Sequence, residues 1–336
     1  RQKKDIFSMY EKMAKESDKT ESDSYADEFV RNYLDKEPIP GIKKEFEIVR
    51  TYLPDITLEE LNGIGRTWTT DDNIAAFITA QEKEGVKVPT VEQVKDIIIG
   101  VKSKKVEAYV DSVSDVPLLA AAPVATKMIK RTDDKKFGFT ELSFANGVRM
   151  ILKPTDFKND EIVLSAYSPG GISLYPDSDI MSASFATSII TQSGLGTYDL
   201  TGLQKKLSGN TASLAPYISE LYEGINGSCS PKDLETMLQL NYLYFTGIRR
   251  DENAFNAYIS YMRNVIKPLR AKPQVIFQDT LSKITSENSP RVIGLPSDVQ
   301  INRINLDRSV SIFKDRFADA SDFTYLMAGN FAVDEV

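Results

Sequence analysis

The side chains best spaced for chemistry follow Asp179. Ser184, Thr187 and Ser188 recur at i, i+3 and i+4, which puts them on one helical face at the spacing that helical metal-binding motifs use. Their chemistry is narrow. Hydroxyls are poor zinc ligands beside imidazole and carboxylate, and the 336 residues include no histidine. A Ser-His-Asp triad, a Cys-His dyad and every histidine-ligated metal site are thereby excluded, leaving proton transfer to carboxylates, Lys or Tyr. The plainer reading of the three residues is a small-residue face that lets helices pack closely. Met181, Phe185 and Ile189, at i, i+4 and i+8, mark the core face of the same helix.

Other candidates are weaker. Ser168-Pro-Gly-Gly171 precedes a helix but lacks the Lys and Ser/Thr of a phosphate loop, so it reads as a turn that needs glycine's backbone freedom. Asp177-Ser-Asp179 resembles the start of a calcium loop. Ile180 and Met181 then stand where ligands and a glycine belong, and the aspartates read as charge complements to the helix that follows. Cys229, the one cysteine, has no activating imidazole and reads as a small core residue. No spacing among the 48 acidic residues singles out a catalytic pair. A net charge of −7 argues against nucleic acid as a partner, and no apolar run is long enough to cross a membrane.

The elements that must position these residues fall into two regions. Residues 1–110 read as mostly helical, with capping boxes at Thr57/Glu60 and Thr90/Gln93 and a buried strand at 74–79. Residues 111–136, with Pro117, Pro123 and an Ala run, read as a linker. Asn146-Gly147 between two apolar runs predicts a hairpin, followed by a strand over 161–167 and a strand pair over 212–229. Helices are predicted at 178–192, 200–208, 231–246, 252–267 and 274–285, with Ser230-Pro231 opening the third. The fold class is α+β: a mainly antiparallel sheet covered by helices. The opening RQKKDIFSMYEKMA lacks an initiator Met and a signal-peptide pattern, and the last residues follow a strand, so a fragment of a longer protein is expected.

A distant repeat links the regions. Ile56-Thr-Leu-Glu59 recurs as Ile304-Asn-Leu-Asp307; Ile64 then matches Ile312 and, with one inserted residue, Trp68 matches Phe317. Asn73-Ile74 corresponds to Asp322-Phe323, and Phe77-Ile78 to Leu326-Met327. A separation this long fits duplication of a whole domain better than a solenoid.

The stretch LSFANGVRMILKPTDFKNDEIVLSAYSPGGISLYPDSD resembles the opening of a domain in the pitrilysin/insulinase-like family of zinc metallopeptidases. So do SGLGTYDLTGLQKKLSG, SPKDLETMLQLNYLYFT and INLDRSVSIFKDRFADASDFTYLMAGNF. The resemblance implies two halves enclosing a chamber, each built of homologous α+β domains. It also implies an inverted zinc motif, H-x-x-E-H, on the helix that here carries Ser184, Thr187 and Ser188. With those positions replaced, the resemblance implies that 137–336 is a metallopeptidase-type domain without catalytic or metal-binding residues, preceded over 1–110 by the tail of a homologous domain. Zinc is then expected in the catalytic half of a parent protease. The expected partners are that half and a peptide or unfolded protein substrate; this part would enclose substrate and be inactive alone. The alternative is a peptide-binding or assembly scaffold in which no half keeps a zinc site. A bacterial cell envelope, periplasm or cytoplasm is compatible with the parent, and the sequence does not choose among them.

Overall fold

The computed structural model describes residues 1–68, 74–80, 85, 87–101, 103–107, 109–110 and 116–336. Asn73 of the repeat and residues 111–115 of the expected linker lie outside the described residues. Two compact units are present: residues 1–49 with 114–336, and residues 50–113.

The larger unit opens with α1 (Gln2–Lys15), α2 (Ser22–Asp35) and the start of α3 (Ile42–Tyr52). Its sheet begins with β1 (Met128–Asp134), which lies inside the segment expected as linker, then β2 (Phe139–Phe144), β3 (Arg149–Pro154) and β4 (Ile162–Pro169). There follow α6 (Ile180–Ser184), α7 (Ala186–Ser193), α8 (Leu200–Lys206), β5 (Ser213–Ile218) and β6 (Tyr222–Cys229). The unit closes with α9 (Leu234–Thr246), α10 (Glu252–Leu269), α11 (Pro273–Thr285), α12 (Asp298–Ile301), α13 (Leu306–Arg316) and β7 (Thr324–Gly329). In the smaller unit lie α4 (Leu58–Trp68) and α5 (Val91–Val101).

The seven strands form one sheet in the order β1-β2-β3-β7-β4-β6-β5. All neighbours are antiparallel except β3 and β7. The α+β expectation, with a mainly antiparallel sheet under helices, is thus met. The β2–β3 hairpin turns at Asn146-Gly147, where Gly147 has φ +92° and donates its N–H to Phe144 O at 3.0 Å. Along β4 burial alternates strictly, with Ile162, Leu164, Ala166 and Ser168 buried and their neighbours turned away. The inward residues meet helical side chains in a core that includes Leu152, Ile225, Met237, Ile312, Phe313, Phe317, Phe323 and Met327. Phe313 and Phe317 stack at 4.3 Å, and Phe245 meets Phe317 and Phe323 edge-on at 5.5 and 5.1 Å.

Helix α1 joins this unit through polar contacts. Buried Asp160 accepts from Lys15 Nζ at 3.0 Å and from Ser230 Oγ at 2.7 Å, and Asp5 accepts from Ser208 Oγ at 2.8 Å and Gly209 N at 2.7 Å. Ser230 was expected to cap the next helix. Its hydroxyl instead serves Asp160, and a short 3₁₀ turn at Pro231–Asp233 leads into α9.

In the smaller unit both capping boxes form: Glu60 N donates to Thr57 Oγ1 at 3.2 Å, and Thr90 N to Gln93 Oε1 at 2.9 Å. The buried strand expected at 74–79 does not. Residues 74–80 adopt no regular structure and are exposed, Phe77 at 91%. A strand needs a neighbouring edge for its N–H and C=O groups, and none of the described residues offers one here.

Candidate functional site

Ser184, Thr187 and Ser188 do not share an uninterrupted helix. The chain breaks at Phe185 (φ −104°, ψ 2°), so Ser184 ends α6 while Thr187 and Ser188 sit in the first turn of α7. All three are half-buried. The close helix packing expected of them falls instead to Ser182, Ala183 and Ala186, which are buried. Ser182 clamps α13: its Oγ accepts from Asn305 N at 3.0 Å, and its carbonyl accepts from Ser309 Oγ at 2.9 Å. Met181 and Ile189 are buried as core residues, whereas Phe185, at the break, is only half-buried. Neutral hydroxyls are what the three positions offer, and among the described residues no group of three or more His, Cys, Asp or Glu side chains converges.

The loop before this helix is fixed by a buried network that sequence reasoning missed. Glu223 is 1% exposed and accepts from Gly171 N at 2.5 Å, with Arg316 NH1 at 3.5 Å. Burial raises the Glu223 carboxyl above its ordinary range against the opposing pull of the Gly171 N–H and Arg316. Arg316 also donates to Tyr175 Oη at 3.0 Å, and Tyr175 donates to Asp315. Burial pushes the Tyr175 hydroxyl up to about 12. Gly171, at φ +65°, sits where a Cβ would lie 2.4 Å from Ser219 O, so the turn tolerates no side chain. Asp179 pairs with Arg308 at 2.6 Å and Asp177 with Arg291 at 3.0 Å, so the two aspartates brace the turn against later segments. Cys229 is buried, and burial pushes its thiol up to about 12; it is an inert core residue.

The sheet has a second face, which the described residues leave uncovered. Val163 and Tyr167 on β4, Leu326 on β7 and Tyr222 on β6 are 46, 40, 39 and 47% exposed. Tyr167 meets Tyr222 edge-on at 6.4 Å, and Ser165 Oγ on β4 donates to Asn226 Oδ1 on β6 at 2.8 Å. On the β2–β3 side the face ends in an Arg149–Glu141 pair at 2.9 Å. This surface offers apolar and aromatic contact without a nucleophile or base poised for reaction. Its sequence signal was the outward-facing set Val163, Tyr167 in a strand whose alternate positions are also apolar.

These features define an α+β domain built on a seven-stranded, mainly antiparallel sheet covered by helices on one face. Over 99% of this chain the fold matches the periplasmic protease PqqL from Escherichia coli, covering 37% of that chain at TM-score 0.57 and 17% identity. It also matches the ferredoxin protease FusC, solved in complex with Arabidopsis ferredoxin, over 98% of this chain and 37% of that one at TM-score 0.54 and 13% identity. Among curated proteins, "Zinc protease PQQL-like" of Arabidopsis thaliana is 24% identical over 322 residues, 94% of this chain and 30% of that protein. "Probable zinc protease PqqL" of Haemophilus influenzae is 23% identical over 198 residues, 58% of this chain and 21% of that protein. No family model matches. The chain is thus similar to proteins named as PqqL-type zinc proteases, in line with its resemblance to the pitrilysin/insulinase-like family, and it spans less than a third of these curated relatives' length.

Proposed function

We propose that residues 137–336, together with β1, are the substrate-enclosing, non-catalytic domain of a zinc metalloendopeptidase, with 1–110 belonging to a preceding homologous domain and the part of 111–136 that precedes β1 joining the two. One observation carries the reading: Ser184, Thr187 and Ser188, to which the resemblance assigns the H-x-x-E-H positions, are half-buried hydroxyls on a helix broken at Phe185. Three neutral hydroxyls do not fit zinc, and none can serve as the general base that activates a metal-bound water. Catalysis therefore belongs to another half of the polypeptide. The relatives' names supply the activity, zinc protease. The FusC complex with a protein ligand supports a polypeptide as the molecule enclosed. In this reading the uncovered sheet face is the wall toward substrate, where Val163, Tyr167 and Leu326 give sequence-tolerant apolar contact.

Calorimetric zinc titration of the 336-residue chain, paired with a peptide-cleavage assay, tests this. Neither stoichiometric tight zinc binding nor cleavage is expected. Chelator-sensitive cleavage by the chain alone, or one tightly bound zinc per chain, would refute it.

A further inference from the structure

The two edges of the sheet are built differently. β5 ends it on one side, and Pro216 within that strand has no N–H to offer a further strand. β1 ends it on the other side and contains no proline; among the described residues no strand pairs with its outer edge. Edge strands that stay single are commonly protected by lysines, proline or a bulge. The one register shift in β1 lies at its start, between Met128 and Lys130, and from Lys130 to Asp134 the pairing with β2 is regular. The charges along that regular stretch have both signs and are arranged about a centre. Lys130 and Arg131 precede Thr132, and Asp133 and Asp134 follow it.

We infer that the outer edge of β1 is an interface between two copies of the chain, which pair β1 with β1 antiparallel and set Thr132 opposite Thr132. Symmetry and charge together select this register. A two-fold axis perpendicular to the sheet keeps the helices of both copies on one side. Side chains alternate between faces, so such an axis must pass through a pair of identical residues rather than between two neighbours. Centred on Arg131, the pairing sets Arg131 against Arg131. Centred on Asp133, it sets Asp133 against Asp133 and Arg131 against Lys135. Like charges directly opposite are destabilising. Centred on Thr132, Arg131 meets Asp133 and Lys130 meets Asp134, each twice by symmetry. The two kinds of pair lie on different faces. Arg131 and Asp133 stand across from buried Leu142 and Thr140 of β2, on the helix side, and Lys130 and Asp134 on the other. Within one chain Arg131 already reaches Asp133 at 3.3 Å and Asp334 at 2.7 Å, so its guanidinium is held at the edge where a second carboxylate arrives. So short a strip buries less than the roughly 1,000 Å² expected of a stable interface, and the pair is weak and salt-sensitive.

Disulfide cross-linking reads the register. Thr132→Cys and Lys130→Cys are placed separately in the 336-residue chain and in the full-length gene product; Cys229 stays because it is buried. Residues directly opposite each other have Cβ atoms about 4.5–5.5 Å apart, close enough to bridge, while the two copies of position 130 are offset by about 13 Å along the strands. With an added oxidant, Thr132→Cys is expected to form the linked dimer at least tenfold faster than Lys130→Cys. Charge supplies the second arm. Arg131→Asp and Asp133→Arg each set like charges across the axis, and each should weaken self-association at least tenfold in sedimentation; mixing the two restores it, since each then meets its opposite. The unsubstituted chain should show a dimer fraction that rises with protein concentration and falls with added salt. If a charge variant does not fold, the cross-linking comparison still decides. Equal cross-linking at 130 and 132, a chain monomeric at every concentration, or a mixture that stays dissociated overturns the inference. Cross-linking in the 336-residue chain that is lost in the full-length product assigns the edge to another segment of the same polypeptide and also overturns it.

Discussion

Phe317→Ala and Trp68→Ala form a matched pair at equivalent positions of the repeat, and the structure assigns them different costs. Phe317 is 1% exposed, stacks on Phe313 at 4.3 Å and meets Phe245 edge-on at 5.5 Å. Truncating a buried Phe costs about 3–5 kcal/mol through lost transfer energy and the cavity left behind. Aromatic pairs add about 0.5–1.5 kcal/mol each beyond burial, which places this site near the upper end, about 4–5 kcal/mol. Trp68 is 82% exposed, and a surface substitution free of special contacts stays within about 0.5 kcal/mol. Urea unfolding of the 336-residue chain, followed by near-ultraviolet circular dichroism of its buried tyrosines, measures both. With a slope of about 2 kcal/mol/M, the Phe317→Ala midpoint falls by about 2 M and the Trp68→Ala midpoint is unmoved. A loss below about 1.5 kcal/mol at Phe317, or a comparable loss at Trp68, would refute the assignment of burial to one copy and exposure to the other.

Glu223→Gln tests the buried carboxylate through pH. Burial raises the Glu223 pKa from its ordinary 4.5, so the native state holds the proton more tightly than the unfolded chain, and wild-type stability falls as pH rises from about 4.5 through the folded value. The glutamine lacks that slope. Its melting temperature should therefore gain on wild type between about pH 4 and pH 7, and a pH-independent difference would contradict the sign. Gly171→Ala should cost at least about 2 kcal/mol, since its Cβ would lie 2.4 Å from Ser219 O at φ +65°. Gly41→Ala, at φ +80° with nothing within 4 Å of the added carbon, should cost only about 1 kcal/mol of backbone strain. Thermal melts of both separate steric clash from conformation.

Features that depend on a few neighbouring residues were legible. The Asn146-Gly147 hairpin, the two capping boxes and the strand at β4 follow from turn geometry, orphaned N–H groups and a short apolar run, each settled within a handful of positions. The break at Phe185 was not legible, because the periodicity of 178–192 runs straight through it. Ser230 has the right place to cap a helix, yet its hydroxyl goes to Asp160, 70 residues away in sequence. Glu223 carried no signal, since a single acid in a strand acquires meaning only when Gly171 and Arg316 close on it.

The absence of histidine is a fact of the sequence, and it alone restricts Ser184, Thr187 and Ser188 to hydroxyl chemistry: no fold can supply a ligand atom the chain does not contain. The repeat likewise determined that two helices would start alike at Leu58 and Leu306. Only tertiary structure decided which of them is buried. An apolar face records a need for a partner, while the partner arrives through long-range strand pairing, as when β7 enters between β3 and β4. The two copies share a pattern and differ in the sheet that receives it.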